Sequence, residues 1–184
     1  MPKSTVGTLT LPAVLLLAGA SMAPAVPARV SGAGAFLPTA DKVPSCARLF
    51  VPPEDFEDPC GGAVKSNPQT SSDPRFVSCM AGMLINMGKV QDVKPEQASE
   101  AALITFESGA EMGVLAVSFA DEQAATAVSA GLERTNAARQ GSGPARSVVF
   151  RSGLQVAFAA CDAQFDEACC QQMLGVLADT WKKP

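Results

Sequence analysis

Between Phe76 and Met87 apolar residues recur every three or four positions. Phe76, Val77, Met80, Leu84 and Met87 fall along one side of a 3.6-residue helix. Asp73 stands where an N-cap belongs, Pro74 suits the first helical turn, and Gly88 supplies the stop. The pattern predicts a helix over residues 74–88.

From Ala101 the pattern changes to short apolar runs of strand length, and it occurs twice. The first copy, residues 101–139, has Leu103–Gly109, then Val114–Asp121, then a helical stretch. The second, residues 146–183, has Val148–Gly153, then Leu154–Asp162, then a second helical stretch. Phe-x-Ser-Gly at 106–109 matches Phe-x-Ser-Gly at 150–153, and Asp121 matches Asp162 as an expected N-cap. The loop Gln140-Gly141-Ser142-Gly143-Pro144 separates the copies. The last helix carries an apolar stripe of Phe165, Cys169, Met173, Val176 and Leu177, with Trp181 beside it. The other helix is weaker, with Ala125, Val128 and Leu132 and an unfavourable Gly131.

Two strand-strand-helix units predict an α+β fold with a four-stranded sheet and helices on one face. Val114–Phe119 and Leu154–Ala160 are the more continuously apolar strands and are expected at the centre. Those carrying Glu107 and Arg151 are expected at the edges. If the two central strands run parallel, the arrangement is a circularly permuted ferredoxin-like plait; a simple meander is the alternative. The second sheet face is then covered only by the 74–88 helix and the preceding arm. An apolar face left open would be a partner or homodimer surface.

Upstream the pattern is irregular. Residues 29–72 form an arm rich in Pro and Gly, including Val51-Pro52-Pro53 and Asp58-Pro59-Cys60-Gly61-Gly62. Asn67 is followed by Pro68, which excludes an N-glycan there. Residues 1–28 read as a cleavable export signal: Lys3, an apolar run from Leu9 to Ala20, and small residues allowing a cut after Ala25 or Ala28. The run is too short for a spanning helix, which needs about 20 apolar residues. Cys is absent at the Ala20-Ser21 position, so no lipid anchor is expected. The α+β domain then occupies residues 73–184.

Composition narrows the chemistry. The 184 residues include no His and no Tyr. Ser-His-Asp and Cys-His catalysis, and His-ligated zinc or haem, cannot be assembled from this chain alone. The net charge of −4 comes with no basic run beyond Lys182-Lys183, so no nucleic-acid partner and no anionic membrane surface are expected. Gly141-x-Gly and Gly32-x-Gly lack the flanking strand and helix of a nucleotide site. No cofactor is expected.

The six cysteines, Cys46, Cys60, Cys79, Cys161, Cys169 and Cys170, read as three disulfides of an exported protein. Six cysteines allow 15 pairings, which sequence does not resolve. Locality favours Cys46–Cys60, with one of Cys169 and Cys170 bound to Cys161 and the other reaching Cys79. A competing reading makes Cys169-Cys170 a thiol-redox pair, although acidic Asp166 and Glu167 beside it disfavour a thiolate. Met80, Met83 and Met87 beside Cys79 form a sulfur-rich stripe of the kind that binds Cu(I), and equally of the kind that fills a core. Glu54, Asp55, Glu57 and Asp58 lack EF-hand spacing and a burial signal, so neither calcium binding nor carboxylate-only hydrolysis is supported.

By exclusion, the sequence points to a secreted or periplasmic, non-catalytic module that binds a protein or small-molecule partner. Copper or thiol-redox chemistry through Met80, Met83 and Met87 or Cys169-Cys170 is the alternative.

Overall fold

The computed structural model describes residues 32–62, 66–140 and 144–181. The leader over 1–28, Gly141-Ser142-Gly143 and Lys182-Lys183 lie outside the described residues. The chain order is β1 (Arg48–Leu49), β2 (Gln69–Ser71), α1 (Pro74–Gly88), β3 (Ala98–Glu107), β4 (Glu111–Phe119), α2 (Glu122–Gln140), β5 (Ser147–Ser152), β6 (Gln155–Cys161) and α3 (Glu167–Trp181). The expected arm therefore contributes two short strands, and a 3-10 turn at Ala33–Phe36 precedes them.

The fold is α+β, built on one antiparallel sheet in the order β1-β3-β4-β6-β5, with β2 sharing the outer edge of β3. β4 and β6 are the central strands, as their continuous apolar runs predict. They run antiparallel, pairing from Met112↔Cys161 to Ser118↔Gln155, and this corrects the parallel pairing expected from sequence. The reason is the path of α2. It carries the chain past the β6 position to the far edge, where β5 forms, and the Gly153-Leu154 turn then folds β6 back between β5 and β4.

The helices lie on both faces rather than one, so the expected plait is not formed. Leu115, Val117 and Phe119 of β4 pack with α1 and α2 through Phe76, Met80, Leu84, Val128 and Leu132. The alternate residues Met112 and Val114 pack with α3 through Phe165, Cys169, Met173 and Leu177. A central strand apolar at every position requires cover on both sides, which two helices on one face would not provide. The arm completes the second side. Ala33 and Phe36 sit over Ala102, Ala116 and Ala157, a row small enough to admit a ring, and Trp181 donates its indole N–H to the Phe36 carbonyl.

Local signals explain the helix ends. Asp73 accepts from the backbone N–H groups of Arg75 and Phe76, capping α1 as predicted. Asp121 caps α2 through the Ala124 N–H. Asp162 does not cap α3: it accepts from Gln164 within a turn, and Asp166 caps the helix through the Cys169 N–H. Gly131 has a structural reason. A Cβ there would lie 2.5 Å from the Gly88 carbonyl oxygen, so the two glycines let α1 and α2 meet backbone to backbone.

All six cysteines are paired, as Cys46–Cys169, Cys60–Cys79 and Cys161–Cys170. The expected Cys161 bond to one of the adjacent pair is present. Cys46–Cys60 and the link from the pair to Cys79 are not. Locality misleads because Cys46 lies on the α3 side of the sheet and Cys60 on the α1 side. The three bonds indicate an oxidising compartment. No helix among the described residues is long and apolar enough to cross a membrane.

Candidate functional site

The outer edge of β3 positions the site. β2 pairs with Ala101–Leu103 and β1 with Phe106–Glu107, leaving Thr105 between them. The Asn67 side chain fills that gap. Its Oδ1 accepts the Thr105 N–H at 3.0 Å, and its Nδ2 donates to the carbonyls of Thr105 at 2.6 Å and Phe50 at 2.8 Å. A side-chain amide thus serves as a strand residue, and the chain between Phe50 and Asn67 is free to rise off the edge.

That raised loop is pinned from within. Asp58 is only 5% exposed. Its carboxylate accepts from the N–H groups of Cys60 at 2.7 Å and Gly62 at 3.1 Å and from Gln69 Nε2 at 3.2 Å. The sequence offered no sign that one of the four loop acids is buried, and its role is to fold the loop. The Cys60–Cys79 bond ties the same loop to α1. So held, Phe50 and Phe56 form an edge-to-face pair with centroids 5.0 Å apart.

Beneath them the sheet face that carries α1 and α2 is open at Thr105 and Gly113. Thr105 pairs with Gly113, Gly113 with Ala160, and Ala160 with Ser147, so one row across four strands is made of small residues. The next row holds Leu103, Leu115, Phe158 and Val149, of which all but Leu115 are partly exposed. At Gly113 nothing lies within 4 Å of where a Cβ would be, although β4 is otherwise closely packed. The resulting cavity, of about 210 Å³, has Leu103, Thr105 and Gly113 as floor and Phe50, Phe56 and Pro59 as wall.

Its electrostatics are one-sided. Asp58 and Glu111 are among the lining residues, and no Lys or Arg is among the described ones. The neighbouring Glu107 is neutralised by Arg48, with Nε–Oε1 2.5 Å. Glu111 is exposed at the mouth and has no ion-pair partner among the described residues. The Gln69 Oε1 atom is buried without a donor. Two larger depressions, about 530 Å³ beside Cys46 and Glu107 and about 500 Å³ between α2, α3 and β5, are more open to water.

The residues singled out from sequence are not gathered at this place. Met80 is fully buried in the core, Met83 is 37% exposed, and Met87 is half-buried. Cys79 is bonded to Cys60, and Cys169 and Cys170 belong to separate disulfides. Among the described residues no three His, Cys, Asp or Glu are placed to hold a metal ion. Phe50, Phe56 and Gly113 were missed. The available signal is Gly113 itself: a glycine inside an apolar strand marks a bulge or a close approach, but the apolar run by which the strand is read starts one residue later, at Val114. Comparison with protein-family models, curated proteins and solved structures finds no match.

Proposed function

We propose that this chain is exported by a cleavable signal over residues 1–28 and works outside the cytoplasm as a non-catalytic binding module, with its ligand seated in the Phe50–Phe56–Gly113 cavity. The observation that carries this reading is Gly113. A central strand gains from side chains that pack, yet here a glycine keeps open a floor that no other part of the described chain fills. A dry cavity of about 150 Å³ is enough for a benzene ring, so about 210 Å³ fits one ring or one branched alkyl group.

Amide chemical shifts of the oxidised protein titrated with benzyl alcohol test the reading. Saturable changes at Leu103, Thr105 and Gly113 are expected. Gly113→Val, whose Cβ would have nothing within 4 Å, plugs the floor and removes them while the protein stays folded. Shifts that survive in Gly113→Val, or no saturable shifts in the unaltered chain, refute the proposal.

A further inference from the structure

The cavity also carries information about charge, and the following rests on the binding reading above. We infer that the ligand is a small organic cation: an apolar ring or branched alkyl group bearing a single ammonium. The ring enters beneath Phe50 and Phe56, and the ammonium stays at the mouth beside Glu111.

Four observations converge. Among the described residues, the lining contains two carboxylates and no cationic side chain. Of the two, Asp58 already accepts three hydrogen bonds, whereas Glu111 has no ion-pair partner among the described residues. Arg48, which lies near Glu111 across β3, is held by Glu107. A free carboxylate at the rim of an apolar pocket is therefore the charge that a ligand meets.

The amide donors and Ser66 point the same way. Asn67 Nδ2 donates to two carbonyls, Gln69 Nε2 to Asp58, and the Ser66 hydroxyl to Pro68. An anionic ligand would thus lose its hydration to a wall whose amide donors are engaged and whose described charged groups are both carboxylates. A ligand that donates meets an unengaged acceptor in Glu111.

Three probes of nearly equal shape separate the terms: benzylammonium, benzyl alcohol and benzoate, each titrated into the oxidised full chain at low and high salt. Benzylammonium is expected to bind about threefold to fivefold tighter than the alcohol at low salt, the effect of one partly exposed ion pair. That advantage shrinks as salt screens it, and benzoate binds weakest. Glu111→Gln removes the advantage of the amine over the alcohol, read as the ratio of the two affinities in the same variant. If the alcohol binds as tightly as the amine, or benzoate binds best, the cation is wrong and the cavity stands. If none of the three binds, or if Gly113→Val leaves all three unaffected, the cavity reading falls and this inference falls with it.

Discussion

Gly131 and Gly175 sit inside α2 and α3, and the same substitution is expected to act in opposite directions at the two positions. Replacing an interior helical glycine by alanine gains about 1 kcal/mol of helix propensity. At Gly175 nothing lies within 4 Å of the new Cβ, so the full gain is realised. With about 3 °C per kcal/mol for a domain of this size, Tm rises by about 3 °C. At Gly131 the Cβ would lie 2.5 Å from the Gly88 oxygen, 2.7 Å from Val90 Cγ2 and 3.2 Å from the Gly88 carbonyl carbon. A comfortable carbon–oxygen contact is about 3.3 Å, so the end of α1 must retreat by roughly 0.8 Å. Two of the obstacles are backbone atoms and cannot rotate away. Overpacking of this kind costs about 1–3 kcal/mol, and a gap approaching 1 Å forfeits up to about half of each neighbouring dispersion contact. Taking the upper part of that range and subtracting the propensity gain, Gly131→Ala loses about 1–2 kcal/mol. Urea denaturation of oxidised protein, followed through Trp181, the only tryptophan, measures both variants. If Gly131→Ala matches Gly175→Ala in sign, the close helix crossing is not the reason for the glycine, and the packing argument fails.

Two further outcomes are expected. Replacing Cys46 and Cys169 by Ser opens a link between residues 123 apart, against 9 for Cys161 and Cys170; chain entropy puts the losses at about 5 and about 2.6 kcal/mol, so denaturation midpoints should fall further for the first pair, and the reverse order would refute the entropic account. Asp58→Ala leaves the Cys60 and Gly62 N–H groups without their acceptor and costs about 2–3 kcal/mol; loosening of the same loop weakens ring binding in the benzyl alcohol titration, and unchanged binding would separate loop folding from the cavity.

Elements governed by local chemistry were legible in the sequence. Asp73, Pro74 and the Phe76–Met87 periodicity give α1 its limits because a cap and an apolar stripe act within a few residues. Gly109 and Gly153 both adopt positive φ in the hairpin turns where the Phe-x-Ser-Gly matches place them. The central position of β4 and β6 followed from their apolar runs. What the pattern did not contain was which side of the sheet each helix takes. Parity within β4 allows Leu115 and Val117 or Met112 and Val114 to receive either helix, and the choice is made by partners far away in sequence. Cys46 bonding Cys169 and Phe36 meeting Trp181 are two of them. The candidate site is less legible still. Phe50 and Phe56 lie in a proline-rich stretch with no period, and their meeting with Gly113 depends on one asparagine side chain standing in for a strand residue. Only the glycine left a trace that sequence alone could register.

The adjacency of Cys169 and Cys170 has a consequence for how the molecule is made. One residue bonds the arm and its neighbour bonds β6, so exchanging the two partners yields an isomer of identical mass and composition. Nothing in the order of residues distinguishes the two outcomes. In a formed helix, however, successive side chains point about 100° apart, so Cys169 addresses Cys46 and Cys170 addresses Cys161 only once α3 has wound. The wound helix thus tells the two partners apart where the order of residues does not, and an exchange of partners would be revealed by peptide mapping of the bridges and not by intact mass.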